Sequence, residues 1–362
     1  MLTSNCDNEL VGQEDAERLF LQIWHSGKMP PCLLISGPKG VGKCTLAFSI
    51  ARYVLYCSRS VQQGEMALDL SSDGAPINLK IPKNHPIRTQ VSSNSHPNIK
   101  LVVRGWVDKD KGKRKKLIGI DEVRDTQHFL NLTSVDNGWR IVIIDGVDEM
   151  SLNAENSLLK TLEEPPNKTL ILAITHNYGK LLPTTRSRCL KLECKKLSDS
   201  QVLQLLHLYR PDAEFGSGQA VASLSDGSIG RGLWLVDADG LAVYKEFMEL
   251  FATLPDLNIE LANKFAGNLS RSENFSGASE LIVWAFGRMI GLVARKKSAE
   301  VKGLVPHEHA VLELISSSSD LDNWVSIWEE LVEVFRSASL LNLDRKITVL
   351  KAIFLLQKGV AK

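Results

Sequence analysis

The sequence has no excess of either charge, no CxxC pair and no long apolar run. Its 362 residues carry 43 Lys and Arg against 42 Asp and Glu, a formal net charge of +1, which excludes a uniformly basic nucleic-acid coat protein. No apolar run reaches the roughly 18 residues that a membrane helix requires. The first ten residues, with Asn5, Asp7 and Glu9, lack the apolar segment of a signal peptide. We therefore expect a cytoplasmic protein with no membrane partner.

The remaining composition is that of a folded protein. Hydrophobic residues make up 44% and charged residues 23%, which excludes a disordered or collagen-like chain. The 6 cysteines are scattered through apolar segments and motifs, so reduced thiols are expected. At about 100–200 residues per domain, the length predicts two or three domains.

Short apolar runs followed by helical stretches characterise the first half of the chain. Three runs are apolar almost throughout: 33–35, 141–144 and 170–174. Helical stretches near 45–56 and 153–164 follow the first two, and residues 190–194 alternate as a half-buried strand does. Such runs are typical of a parallel sheet covered by helices on both faces. The pattern predicts an α/β nucleotide fold.

Two polar segments interrupt this pattern. Residues 58–98 are rich in Gln, Ser, Asn, Pro and Gly, and we interpret them as an insertion loop. The run Lys109–Lys116 holds six basic residues. It fits either a solvated hairpin tip or a contact to the phosphate backbone of DNA, where Lys and Arg supply affinity without sequence specificity.

The last part of the chain has only helical periodicity. Apolar residues at spacings of three and four predict buried helix faces, at Trp324, Ile327, Trp328, Leu331 and Phe335 and again at Ile347, Leu350, Phe354 and Leu355. Residues 316–319, four serines, predict a break between two helices. Short helices are predicted at 201–209 and 219–225.

A glycine-rich segment between a predicted strand and a predicted helix has the context of a P-loop. The glycines allow backbone N–H groups to surround phosphate oxygens, and a lysine at the helix start reaches the β/γ-phosphates. Asp145, at the end of the 141–144 strand, is placed to hold a metal ion or its water. The predicted nucleotide-binding residues are Gly37, Pro38, Lys39, Gly40, Val41, Gly42, Lys43, Cys44, Thr45 and Asp145.

Two positions of this site lack the chemistry of ATP hydrolysis. Cys44 stands where a Ser or Thr hydroxyl would bind Mg²⁺, and a neutral thiol is a poor ligand for a hard ion. Thr45 lies about 100° further round the helix. Gly146 stands where an active ATPase has a Glu base. The glycines and Lys43 keep ATP as the expected ligand, with Mg²⁺ only alongside a nucleotide.

Residues 156–166, Asn-Ser-Leu-Leu-Lys-Thr-Leu-Glu-Glu-Pro-Pro, resemble the signature helix of bacterial clamp-loader subunits. The strand at 170–174, Leu182-Pro183 and Ser187-Arg188-Cys189 resemble the rest of that signature. Leu10-Val11-Gly12-Gln13 and Asn342-Leu343-Asp344-Arg345 also fit. The similarity extends from about residue 10 to 358 and is to the AAA+ clamp-loader family.

This resemblance implies an α/β P-loop AAA+ core (1–195), a small helical lid (196–243) and an all-α collar (244–362). It implies that Arg188 acts as an arginine finger in a neighbouring subunit's ATP site, and it places Thr175 at the sensor-1 position. The implied partners are gamma/tau and delta subunits in a hetero-pentameric ring, a sliding clamp and primed DNA.

Departures from the family pattern predict a subunit that does not hydrolyse ATP. Gly230 replaces the lid arginine, and Arg231 lies on a different helix face. Of the four cysteines with which many relatives hold zinc, only Cys57 remains, and His85 and His96 are interpreted as ordinary loop residues, so no zinc is expected. The alternatives are an active gamma/tau-like ATPase and a small-molecule kinase or other free-standing P-loop enzyme.

Overall fold

The computed structural model describes residues 9–63, 78–108, 113–132, 138–212, 218–272, 274–295, 305–318 and 320–360. The chain packs as two compact units, residues 1–201 with 227–230, and residues 202–226 with 231–362. Within the described residues, every strand belongs to the first unit. The three-part division at 195/196 and 243/244 stays a prediction.

The first unit alternates strands and helices. Its elements are α1 (Glu14–His25), β1 (Cys32–Ser36), α2 (Lys43–Gln63), α3 (Pro86–Ser92), β2 (Ile99–Val102), β3 (Trp106–Asp108), β4 (Lys113–Arg114), α4 (Ile120–Asn131), β5 (Arg140–Asp145), α5 (Leu152–Glu163), β6 (Thr169–Thr175), α6 (Pro183–Arg188) and β7 (Leu190–Glu193). Five strands form a parallel sheet in the order β2-β5-β6-β1-β7, and β3 pairs with β4 in a small antiparallel hairpin.

Both faces of the three central strands, β5, β6 and β1, are buried, which explains why these strands are apolar almost throughout. Leu33 and Ile35 point into one core with side chains of α1 and α2. Leu34 and Ile144 point into a second core with side chains of α4 and α5. Side chains alternate between the faces of a strand, so a strand covered on both sides must be apolar at successive positions. The α/β prediction is confirmed.

The insertion loop predicted at 58–98 is wrong at both ends. Helix α2 continues to Gln63, and α3 occupies 86–92, starting at a proline whose fixed φ suits the first helical turn. His85 caps α3 by accepting a hydrogen bond from the N–H of Ile87 at 3.3 Å. Residues 64–77 of the loop lie outside the described residues. Polar composition alone therefore did not distinguish these helical residues from a loop.

The second unit is helical. Its elements are α7 (Asp199–Tyr209) and α9 (Ile229–Asp237), which both begin in the first unit, with α8 (Gly218–Leu224), α10 (Gly240–Ala252), α11 (Ile259–Arg271), α12 (Phe275–Ala294), α13 (Glu308–Ser318), α14 (Leu321–Leu341) and α15 (Arg345–Val360). The break predicted at 316–319 comes later than expected, because Ser316 to Ser318 still belong to α13, and α14 begins at Leu321. Aromatic rings fill the core, where the Trp324 ring lies 6.1 Å from Phe251 and 5.7 Å from Phe286.

Only part of the predicted apolar stripes is core. On α14, Trp324, Leu331 and Phe335 are buried as predicted. On α15, however, Ile347 is 68% exposed and Phe354 is 51% exposed, so their assignment to the core is wrong. Helix α15 packs through the adjacent face that carries Val349, Ala352, Ile353 and Leu356, which leaves Ile347 and Phe354 exposed, whereas Leu355 is buried as predicted.

By length and composition alone, helix α12 could cross a membrane, although Glu280 and Arg288 interrupt its apolar sequence. Its window includes charged residues, and 44% of it is buried within the structure. A buried core helix passes the same test, and Ala285, Phe286 and Met289 of α12 are core residues of the second unit.

Candidate phosphate-binding and arginine-finger site

The ends of three neighbouring strands meet at one edge of the parallel sheet. Ser36 at the end of β1 is paired with Thr175 at the end of β6, and Asp145 at the end of β5 is paired with Ile174. In open parallel sheets this carboxyl edge is where ligands bind. The predicted residues Asp145 and Thr175 therefore lie on the same edge as the loop that follows β1.

The loop between β1 and α2 needs its glycines. Gly37, Gly40 and Gly42 have φ values of +152°, +78° and +100°, which side chains disfavour. A Cβ on Gly37 would overlap the carbonyl oxygen of Cys194, and one on Gly40 would overlap the side chain of Ser228. Such a turn with bare backbone at a helix start is suited to an anion such as phosphate.

The remaining residues of the loop between β1 and α2 differ in burial, and one neighbouring side chain holds the loop in place. Val41 is buried in the core, and Pro38 and Lys39 are exposed. Gln13 donates from Nε2 to the carbonyl oxygens of Val41 at 3.0 Å and Lys195 at 2.9 Å. Gln13 thus ties the loop to the chain that leaves β7, a function that the spacing in the sequence did not reveal.

Lys43 is the first residue of α2 and is only 3% exposed. Its ammonium group donates to the carbonyl oxygens of Gly37 at 2.7 Å and Pro38 at 2.5 Å. Burial lowers the pKa of Lys43 to about 8, and the nearby negative charges, Asp145 among them, limit the effect. Cys44 and Thr45 follow in the first turn, both half-buried.

The two acidic residues that follow Gly146, Asp148 and Glu149, both have partners in neighbouring segments. Gly146 has φ +93°, so the chain turns away from the strand direction at once. Asp148 accepts a hydrogen bond from the backbone N–H of His176 at 3.0 Å. Glu149 pairs with Arg104 at 3.0 Å. Both carboxylates are therefore engaged in holding neighbouring segments.

Thr175 is fully buried, and its hydroxyl accepts a hydrogen bond from the N–H of Asn177 at 3.2 Å. The next residue, His176, escaped the sequence analysis. Although His176 is exposed, partial loss of hydration and the positive charge of Lys43 lower its pKa, while Asp148 acts in the opposite direction. In the sequence, the only indication of a site residue here was that His176 lies just after the strand predicted at 170–174.

Gly230 contributes backbone to the loop. Its N–H donates to the carbonyl oxygen of Gly40 at 3.1 Å, and a Cβ at Gly230 would lie 3.1 Å from the Gly40 Cα. The guanidinium of Arg231 stacks 4.2 Å from the ring centroid of Trp284 and lies 4.0 Å from Asp226. Arg231, which is adjacent to Gly230, therefore has its partners within the second unit.

Arg188 is the last residue of α6, and two carboxylates of α5 organise this short helix. Glu155 is buried and accepts hydrogen bonds from the Leu182 N–H at 2.9 Å and the Thr185 hydroxyl at 2.8 Å. Glu163 pairs with the Arg188 guanidinium at 2.7 Å. The signature helix therefore positions the segment that carries the predicted finger.

The remaining predictions concern zinc and the basic run. His96 is buried and accepts a hydrogen bond from the Asn98 N–H at 3.2 Å, which gives it a structural function, as His85 has. Among the described residues, no three His, Cys, Asp or Glu side chains are grouped to hold a metal ion. Lys115, in the basic run, pairs with Glu122 at 2.9 Å, and the tip of the hairpin lies outside the described residues.

A parallel sheet in the order β2-β5-β6-β1-β7, with a glycine-rich loop between β1 and α2 and an acidic residue at the end of β5, defines the class: a P-loop α/β protein of the AAA+ type. The sequence model of the family described as "DNA polymerase III, delta subunit" matches residues 12–198. The chain belongs to this family.

Individual relatives are distant. The chain is 27% identical over 212 residues to the DNA polymerase III subunit delta' of Pseudomonas aeruginosa, covering 59% of this chain and 57% of that protein. It is 25% identical over 233 residues to the subunit tau of Bacillus subtilis, covering 63% of this chain and 37% of that protein. The matches thus span about half or less of these relatives.

The solved structures that match this chain include a DNA polymerase III gamma subunit-related protein from Thermotoga maritima. It has a TM-score of 0.43 and 15% identity, covering 96% of this chain and 99% of that one. The RuvB Holliday junction branch migration motor of the same organism has a TM-score of 0.38 and 15% identity, covering 79% and 76%.

Proposed function

We propose that this chain is a delta-prime-type subunit of the bacterial DNA polymerase III clamp loader. It acts in the cytoplasm during DNA replication as the stationary member of a hetero-pentameric ring with gamma/tau and delta subunits, and the ring loads a sliding clamp onto primed DNA. The observation that carries the proposal is a P-loop whose hydrolytic residues are absent, in a chain that retains the arginine of its Ser-Arg-Cys motif.

Arg188 has the chemistry and the support of an arginine finger. Its guanidinium is held at the end of α6 by Glu163 and by the Thr184 carbonyl oxygen at 3.1 Å, and it is half-buried. A planar guanidinium stays charged and matches phosphate oxygens as well as carboxylate oxygens. We infer that a neighbouring subunit's nucleotide competes with Glu163 for this group.

The residues of the chain's own P-loop fit a nucleotide better than they fit catalysis. The turn formed by Gly37, Gly40 and Gly42, with Lys43 at the helix start, suits phosphate oxygens. The thiol of Cys44 does not suit Mg²⁺, and no carboxylate follows Asp145 directly. The binding energy of ATP would stabilise the folded first unit. Its hydrolysis here is not expected.

The exposed side of α15 supports a collar function. Ile347 and Phe354 lie seven residues apart, on one side of the helix, and both are more than half exposed. Exposed large apolar side chains grouped on one helix face are typical of interaction sites. We propose that they are buried against other subunits, so that the Ile347→Ser/Phe354→Ser variant folds but fails to join the ring.

A gamma/tau-like ATPase is the second candidate function. Gamma and tau subunits are among the relatives at 25–26% identity, and Lys43 and Asp145 are present as an ATPase requires. The two candidates differ in where ATP is hydrolysed: within this chain, or in a neighbour that needs Arg188.

The test compares ATP hydrolysis by the chain alone with that of the reconstituted ring on primed DNA. The proposal expects no turnover by the chain above a Lys43→Ala control. It expects Arg188→Ala to leave the ring assembled and to reduce its DNA-stimulated ATPase, because a finger is worth roughly 10³–10⁵-fold at the site that it completes.

Arg186→Ala is the matched control, because Arg186 lies on the same helix but its guanidinium stacks 5.3 Å from the Tyr178 ring centroid. Turnover by the chain alone that disappears with Lys43→Ala would favour the gamma/tau-like function. If the ATPase activity of the ring is unchanged in Arg188→Ala, Arg188 does not act as an arginine finger.

A further inference from the structure

Two cysteine thiols meet beside Arg188. Cys32 is the first residue of β1, and Cys189 directly precedes β7. Leu33 of β1 is paired with Leu190 of β7. Cys32 and Cys189 each lie one residue earlier, so the two cysteines are side by side where this pairing begins. Their Sγ atoms lie 3.0 Å apart and share a hydrogen bond.

The backbone around the pair suits a covalent bond between the two sulfurs. Cys189 is extended, at φ −114° and ψ 135°, so its side chain follows the alternation of β7. Both thiols lie on the face of the sheet that Leu34 shares. Neighbouring strands are about 4.8 Å apart, within the roughly 4.4–6.8 Å between Cα atoms that disulfides span. The sulfurs need to approach by about 1 Å to reach a bond of roughly 2.05 Å.

The two thiols differ in access, which sets the order of reaction. Cys32 is fully buried, whereas Cys189 is half-buried. A hydrogen bond with Cys189 and burial raise the pKa of Cys32, so its thiol stays protonated. An oxidant in solution therefore reaches Cys189 first, and Cys32 is positioned to react second.

We propose that Cys32 and Cys189 are a reversible disulfide site whose oxidants are peroxides. The Cys189 sulfur attacks one oxygen of hydrogen peroxide, the O–O bond breaks, and a sulfenic acid and one water form. The Cys32 sulfur then attacks the Cys189 sulfur, the S–S bond forms, and the hydroxyl leaves with the Cys32 proton as a second water. Two thiols lose two electrons, and one peroxide is reduced to two waters. Small thiols reverse the bond by exchange.

The disulfide would join the end of α6 to the first strand of the sheet. Arg188 is the residue next to Cys189, so the bond would fix the chain directly behind its guanidinium. The chemistry of the pair does not depend on the proposed function of Arg188.

The experiment treats the folded full-length protein with hydrogen peroxide at low molar excess, blocks free thiols with N-ethylmaleimide and digests with trypsin. Trypsin cuts after Lys28, Lys39, Arg188 and Lys191, so Cys32 lies in peptide 29–39 and Cys189 in peptide 189–191. The expected product is a cross-link between these two peptides, abolished by dithiothreitol and more abundant than any other cysteine pair.

Three variants define the result. Cys44→Ser removes a different half-buried thiol and must leave the 29–39/189–191 cross-link intact. Cys32→Ser must stop the reaction at the sulfenic acid, which dimedone labels on Cys189. Cys189→Ser must abolish both products. Three outcomes for peroxide-treated wild type would overturn the proposal. Cys189 could be oxidised without the cross-link, the cross-link could form only in urea, or both thiols could stay unreacted.

Discussion

The buried ammonium of Lys43 makes the stability of the core depend on pH in a direction that can be calculated. Lys43 titrates at about 8 in the folded chain against an ordinary value of 10.5. Below pH 8 the folded and unfolded chains both carry its proton. Between pH 8 and 10.5 the unfolded chain still binds the proton and the folded chain has lost it. The free energy of unfolding therefore rises with pH through this interval.

The size of the effect follows from the difference between the two pKa values. Each tenfold change in proton affinity is about 1.4 kcal/mol, so the complete gain is about 3 kcal/mol, of which about three quarters is reached by pH 10. Lys43→Met removes the titrating group while keeping the length of the side chain. We expect wild type to gain this stability relative to Lys43→Met as the pH is raised from 7 to 10.

The assay is urea unfolding of wild type and Lys43→Met, measured by circular dichroism at four pH values. The free energy of unfolding is compared for the transition whose midpoint the Lys43→Met substitution changes. Lys39→Met is the matched control, because it removes an exposed lysine of the same loop and separates the effect of burial from that of local charge. Parallel pH dependences for wild type and Lys43→Met would refute the reasoning, since the Lys43 ammonium would then be solvated as in the unfolded chain.

Three further predictions test packing by urea unfolding. Gly40→Ala should cost about 2 kcal/mol or more, since a left-handed φ and an overlap with Ser228 act together, whereas Gly42→Ala meets open space and should cost less; equal costs would contradict the packing argument. Phe335→Ala should cost about 3–5 kcal/mol and Phe354→Ala under about 1 kcal/mol, because only the first ring is buried; similar losses would place both rings in the core. Glu308→Gln should cost about 2–4 kcal/mol by leaving the half-buried guanidinium of Arg288 without a carboxylate, and an unchanged midpoint would be contrary to the observed ion pair.

Strands and helices of the first unit were predictable because their signals are local. A strand covered on both faces must be apolar at successive positions, and the runs at 141–144 and 170–174 correspond to β5 and β6. The P-loop was equally visible, since its glycines and Lys43 are adjacent in sequence. The order of the strands in the sheet was not predictable from these local patterns.

The surroundings of the candidate residues depended on contacts between distant segments. Arg188 meets Glu163 from another helix, and the loop of Gly40 meets Gly230 from a segment 190 residues away. No spacing rule connects such positions. The exposure of Phe354 was missed for the same reason, because periodicity identifies an apolar face but not what covers it.

The sequence by itself therefore determined the α/β and helical halves, the phosphate loop and the absence of a hydroxyl at position 44 and of a carboxylate at position 146, because each depends on residue type and short-range periodicity. Only the tertiary structure decided that Lys43 is buried against the carbonyl of Gly37 and that the thiols of Cys32 and Cys189 meet. The physical reason is that burial, pKa and reactivity depend on which atoms surround a side chain, and strand order and helix packing bring those atoms from distant parts of the chain.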